Sequence, residues 1–185
     1  MCLRRAPHCE MAHSIPKYAR LEFERRFLLR DIPDLSEIGF RTIDDLYLDG
    51  TRLRLRKITC QHRDTQYKLC KKYASDGSRP LALVNIYLTS QEYAVLGALT
   101  GKAVRKRRYD IIPSTLCIDV FEDHLAGLVL GELELESASA LDAFTPPPWV
   151  GRDVSHDPFF AGGNLASIDA DQLAAKLLSL QSGAW

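Results

Sequence analysis

The chain has 185 residues, with 24 Lys+Arg against 24 Asp+Glu and a formal net charge of +0 at pH 7. Hydrophobic and charged fractions of 46% and 26% exclude a disordered, collagenous or coiled-coil chain, and the length suits one domain with a sizeable core. Neutrality argues against a general nucleic-acid binder, and no apolar run approaches the roughly 20 residues that span a membrane. The five cysteines, Cys2, Cys9, Cys60, Cys70 and Cys117, form no Cys-x-x-Cys pair. Their odd number, without an apolar signal region at the N-terminus, predicts reduced thiols and a cytoplasmic location.

Residues 1 to about 18 lack periodicity and read as a flexible lead-in to a single domain over 19–185, and Met11 offers a second candidate start. From Leu21 to Leu29 the residues alternate with period two, which predicts a strand ending at Asp31-Ile32-Pro33. A short helix or turn is expected over 35–41 and a second strand over Ile43–Leu48, closed by the turn pair Asp49-Gly50. A third strand runs from Thr51 to about Cys60 and a fourth from about Asp64 to Tyr73. The loop Ala74–Pro80 follows, and then a strand at Leu83–Leu88.

Thr89, with Glu92 three residues later, makes a capping box for a helix that Gly101 is expected to close. Strands are predicted at Ala103–Ile111, Leu116–Phe121 and Gly127 to about Leu135. A Pro-rich passage spans Leu141–Pro148, and Gly151–Gly163 reads as irregular. Ile168–Leu180 carries Leu173, Leu177 and Leu180 on one stripe and reads as a closing helix. The economical architecture is one mostly antiparallel sheet with two or three helices outside it.

The charged faces of these strands are sorted by sign. Glu22, Glu24 and Arg26 share a face of the first strand, and Arg52, Arg54 and Arg56 share one of the third. Lys68, Cys70 and Lys72 follow on the fourth, Lys106 and Arg108 on a later strand, and Glu132, Glu134 and Glu136 on the last. Residues 51–72 hold eight Lys/Arg and one acid, whereas 119–136 hold six acids and no Lys or Arg. A solvated sheet face mixes its signs, because like charges directly across strands repel. A sheet that curls shut keeps the two sets facing one another across a lumen.

Several converging cations need a multivalent anion between them, and arginine forks suit phosphoryl oxygens. Carboxylates in the same cavity would repel that anion unless they hold Mg²⁺ or Mn²⁺, hard cations that bridge carboxylate and phosphate. A polyphosphate or a nucleoside triphosphate satisfies both requirements. No Gly-x-x-x-x-Gly-Lys-Ser/Thr phosphate loop occurs in the chain.

The stretch Leu21-Glu22-Phe23-Glu24-Arg25-Arg26 resembles the opening strand of the CYTH, or triphosphate tunnel metalloenzyme, family. That signature is two glutamates and a lysine at alternate positions, with Arg26 standing at the lysine. Arg52-Leu53-Arg54 resembles the family's Arg-x-Arg strand, with Arg56 one step further. Lys68-Leu69-Cys70-Lys71-Lys72 resembles its Thr-x-Lys strand, with Cys70 for threonine. Lys106-Arg107-Arg108-Tyr109 matches its Lys-x-Arg-Tyr strand, and Asp119-Val120-Phe121 with Glu132-Leu133-Glu134 its metal-binding pair. The tyrosine and asparagine often seen near Phe160 and Gly162 are absent.

The resemblance implies a mainly β, closed antiparallel barrel of eight strands with peripheral helices, forming an open-ended tunnel. It also implies Mg²⁺ or Mn²⁺ dependence and hydrolysis of inorganic tripolyphosphate or a small organic triphosphate by a metal-activated water. Adenylate cyclase chemistry on the same scaffold and a non-catalytic polyphosphate- or nucleotide-binding module are the alternatives. The implied metal ligands are Glu132, Glu134, Asp119, Glu22 and Glu24, with Glu22, Glu24 and Arg26 in catalytic roles. Arg52, Arg54, Arg56, Lys68, Lys72, Lys106 and Arg108 are the implied triphosphate cradle. Arg25, Lys71, Arg105 and Arg107 fall on the outer faces. The oligomeric state stays open between monomer and homodimer.

Overall fold

The computed structural model describes residues 15–73 and 81–181. Most of the expected lead-in and the expected loop at Ala74–Pro80 lie outside them. Nine strands are present among the described residues: β1 (Arg20–Leu29), β2 (Phe40–Leu48), β3 (Leu53–Cys60), β4 (Arg63–Lys72), β5 (Leu81–Leu88), β6 (Gly101–Asp110), β7 (Leu116–Phe121), β8 (Val129–Leu135) and β9 (Val150–Asp153). Their order is β5-β4-β3-β2-β6-β7-β8-β1-β9, every pairing is antiparallel, and β5 also pairs with β1. That last pairing closes eight strands into a barrel. β1 is shared along its length: Arg20–Glu22 meet β5, and Phe27–Leu29 meet β9, which lies outside the ring.

The turn between β2 and β3 decides which arginines enter the barrel. Gly50 takes a left-handed conformation (φ 67), which a side chain would strain. Thr51 then holds the chain in the turn, donating from N and Oγ1 to the Leu48 carbonyl at 3.2 and 2.9 Å. Its Oγ1 also accepts from Leu53 N at 3.0 Å. Pairing with β4 therefore starts at Leu53, two residues later than expected.

The helices lie outside the barrel. In α1 (Ser90–Leu96) the Thr89–Glu92 capping box forms as expected. It is capped by Gly97, whose N–H bonds the Tyr93 carbonyl at 2.8 Å, while Gly101 opens β6 opposite Leu48. The expected closure at Gly101 is thus corrected: the helical bonds are spent four residues earlier. A short helix α2 (Ala138–Ala143) precedes the Pro-rich passage, and the segment read as irregular contains β9 and α3 (Gly162–Leu165). No helix among the described residues is long and apolar enough to cross a membrane.

Two apolar clusters frame the lumen. Outside, Phe27, Leu116, Ile118, Leu133 and Val150 are buried beneath Leu141, Phe144 and Trp149. At one barrel end, Leu28, Val104, Phe121 and Leu130 pack with Phe160, Leu165 and Leu173, the last from α4 (Ala170–Gln181). Leu177 and Leu180 of the predicted stripe pack against this second cluster. These strands therefore carry charge along one part of their inner face and apolar residues along the rest. The apolar part packs at one end of the barrel.

Candidate active site

Seven cations, Arg26, Arg41, Arg54, Arg56, Lys72, Lys106 and Arg108, line one cavity of about 460 Å³ together with the carboxylates Glu22, Glu24, Asp45, Glu132 and Glu134. They come from six different strands. Alternation supplies them, since every second residue of a barrel strand points inward. Register then sets the neighbours, placing Glu24 opposite Glu134, Arg26 opposite Glu132, Arg54 opposite Cys70 and Arg108 opposite Asp119.

Three ionic groups partition the lumen. On β1, Glu22 accepts from Lys72 Nζ at 2.5 Å, and Glu24 lies 2.5 Å from Arg26 Nε. Arg26 reaches on towards Glu132 at 3.8 Å and donates to the Phe160 carbonyl at 3.3 Å, while its backbone N–H bonds Ser155 Oγ at 2.9 Å. Between β6, β7 and β8, Asp119 accepts two bonds from Arg108, both at 2.6 Å, and one from Lys106. Arg108 also donates to Glu132, and Lys106 does so at 3.4 Å. Between β2 and β3, Asp45 accepts from Arg56 Nε and Nη2 at 2.6 and 2.7 Å, with Arg54 Nε 3.6 Å away.

Charge dominates the protonation of these groups. Burial alone would raise the Glu132 carboxyl, but Arg108, Lys106 and Arg26 hold it well below the usual carboxylate range. Burial likewise opposes ionisation of Asp45, and Arg56 and Arg54 outweigh it, holding that group at about 2. Burial works against the charge on Arg54, yet Asp45 and the hydroxyl of Tyr47 keep it fixed as a cation. Arg54 Nε is buried, makes no hydrogen bond, and lies 3.6 Å from Asp45 Oδ1.

The lumen gathers Glu22, Glu24, Arg26, Arg54, Arg56, Lys72, Lys106, Arg108, Glu132 and Glu134 from the residues expected there. Three others are placed differently. Arg52 lies exposed in the β2–β3 turn, lining a surface hollow with Lys71, because the turn persists through it. The inward arginine pair is therefore Arg54 and Arg56. Lys68 shares the inner face of β4 but sits beyond the cavity, over the Tyr87 ring at 4.9 Å. Asp119 is fully buried behind Lys106 and Arg108 and does not line the cavity.

The sequence reading missed Arg41, Asp45 and Tyr47, which line the cavity from β2. The signal is the alternation Arg41-x-Ile43-x-Asp45-x-Tyr47, which carries β2 back to Phe40, into the stretch expected as a helix or turn. The outer-face residues do lie outside: Arg25 pairs with Asp153 at 2.8 Å, and Arg105 and Arg107 with Glu122 at 3.0 and 2.8 Å. Lys71 is exposed over Tyr73.

The chain is 34% identical over 152 residues to an inorganic triphosphatase of Nitrosomonas europaea, covering 78% of this chain and 96% of that protein. The CYTH, or triphosphate tunnel metalloenzyme, family includes this chain. Two crystal structures of NE1496, one described as a hypothetical protein and one as an inorganic triphosphatase, share its fold. Both are 29% identical, with TM-scores of 0.52 and 0.51; they cover 80% and 78% of this chain, and the match spans 99% and 93% of those chains. No family model matches the sequence.

Within this CYTH protein the donor chemistry suits a hard divalent cation. Glu24 and Glu134 stand directly opposite across β1 and β8, with Glu132 on the same face, and like charges so placed call for a cation between them. Each carboxylate is nonetheless engaged, Glu134 by Arg20 at 3.1 Å. Among the described residues no three His, Cys, Asp or Glu side chains are gathered as a ready metal cluster. Cys70 is buried on the inner face beside Arg54, where its thiol provides a weak donor in place of a hydroxyl.

Proposed function

We propose that this CYTH chain is a metal-dependent triphosphatase, hydrolysing inorganic tripolyphosphate or a small organic triphosphate in the barrel lumen. The observation that carries the reading is the shared cavity: forked and point cations converge on one space that also holds facing glutamates. The 34% identical relative is an inorganic triphosphatase.

Arg54, Arg56, Lys72, Lys106 and Arg108, which all line the cavity, bind the phosphate chain through charge-assisted hydrogen bonds. Lys106 and Arg108 are pre-aimed by Asp119, so they need no reorganisation as charge develops on the phosphoryl oxygens. Lys72 exchanges Glu22 for phosphate, and the freed Glu22, with Glu24, orients the attacking water. Glu24, Glu132 and Glu134 would hold Mg²⁺ or Mn²⁺, which would supply positive charge against the phosphate oxygens and favour attack at phosphorus. Water adds to the terminal phosphorus as the anhydride P–O bond breaks, and diphosphate leaves from the opposite side.

Phosphate release is to be measured with tripolyphosphate, ATP and thiamine triphosphate, each with Mg²⁺ or Mn²⁺. Release that disappears in the Glu132→Ala/Glu134→Ala double variant supports the reading. Cyclic AMP from ATP, or no release above that variant, would overturn it.

A further inference from the structure

Asp45 is a group that a simple anion cradle does not need. Its side chain is only 3% exposed, it lines the cavity, and it stands opposite Arg56 in the β2–β3 register. One oxygen takes Arg56 Nε at 2.6 Å, the other takes Nη2 at 2.7 Å, and Arg54 Nε is 3.6 Å away. A carboxylate so placed consumes a whole edge of one guanidinium, the edge that would otherwise grip two phosphoryl oxygens at once. It also repels any polyanion drawn to the two arginines. Its benefit must therefore lie somewhere other than in binding strength.

Resting on the reading of the lumen as a triphosphate cradle, we propose that Asp45 is a positioning residue that limits the grip of Arg54 and Arg56 on phosphate and so sets the release of the diphosphate product. It does this in two ways. The bidentate pair fixes the plane of Arg56, leaving only its outer N–H groups for substrate. The fixed negative charge offsets one cation, so the cradle holds the more highly charged substrate while letting the shorter product go. Asp45 is ionised throughout the neutral range, so the offset is permanent.

Neutralising Asp45 should strengthen anion binding, the reverse of what loss of a cradle residue does. A carboxylate beside a multivalent anion in a partly desolvated site changes affinity by about tenfold or more. Metal-free calorimetry with tripolyphosphate and with diphosphate, on the parent chain and Asp45→Asn, reads this directly, and kcat and KM with Mn²⁺ complete the test. Both dissociation constants should fall by about tenfold or more, with diphosphate becoming a stronger inhibitor. KM and kcat should then fall together, because release limits turnover.

Unchanged or weaker binding, or a raised KM with a lowered kcat, would overturn the inference and leave Asp45 a purely structural partner of Arg56. Asp45→Gln, whose amide oxygen reaches the same guanidinium, serves if Asp45→Asn does not fold. If neither folds with tripolyphosphate present, Asp45 is needed for the fold itself and the inference is overturned. A parent chain that binds no tripolyphosphate would instead refute the cradle reading, an outcome the parent titration alone identifies.

Discussion

Replacing Asp119 by Asn removes the charge behind two cradle cations while keeping the shape. Asp119 has 0% of its surface exposed, and it accepts from both Arg108 nitrogens and from Lys106 Nζ. After the change Lys106, 5% exposed, and Arg108 share one remaining carboxylate, Glu132. Breaking a buried ionic group by removing one member costs about 3–5 kcal/mol. Glu132 offsets part of the loss, so the lower half of that range applies. For a chain of this length each kcal/mol moves Tm by about 2–4 °C, which puts the loss at roughly 6–16 °C.

Thermal melts followed by circular dichroism measure this loss, and adding tripolyphosphate separates its causes. The anion supplies negative charge to Lys106 and Arg108, so it should raise the Tm of the variant by more than that of the parent. A direct metal ligand would behave differently, leaving the fold near-native while the Mg²⁺ or Mn²⁺ requirement moves to higher concentration. A variant melting within about 2 °C of the parent would refute the reasoning.

Arg54→Ala should lower kcat/KM by roughly 30- to 1000-fold, since it deletes a charge-assisted donor that tightens in the transition state. Arg52→Ala and Lys68→Ala, outside the cavity, should stay within a few-fold in the same steady-state assay. Acid should also act through Asp45, whose folded value of about 2 lies below its ordinary 3.8. A depressed carboxyl contributes its stability above the ordinary value and loses it as pH falls through the folded one. About 2 kcal/mol should therefore disappear between roughly pH 4 and pH 2, and urea melts across that window should show a shallower acid loss in Asp45→Asn.

The sequence made the barrel legible because charge and period coincide. Glu22-x-Glu24-x-Arg26, Lys106-x-Arg108 and Glu132-x-Glu134 each mark an inner face, and sorted signs on separate strands are hard to reconcile with an open, solvated sheet. Period alone cannot tell where a strand begins, and that is why Arg52 was grouped with Arg54. All three arginines share one parity, and only the Thr51 hydrogen bonds to Leu48 show that the turn outlasts Arg52. Lys68 shows a related limit: parity gives the face but not the depth along a tilted strand.

The sequence shows the face of Asp119 but not the two cations that enclose it. Asp45 sits beside a second acid, Asp44, and the pair alone does not show which carboxylate faces inward. Its meaning comes from the register that brings it against Arg56. The apolar filling of one barrel end depends on Phe160 and Leu165, contributed by a segment with no period to read.

The central claim is tested most directly by a crystal structure of the protein soaked with tripolyphosphate and Mn²⁺. The account predicts the phosphate chain inside the barrel, with oxygens on Arg54, Arg56, Lys106 and Arg108 and metal density beside Glu24, Glu132 and Glu134. Tripolyphosphate bound on the outer face near Arg105 and Arg107, or an empty lumen at saturating ligand, would contradict it.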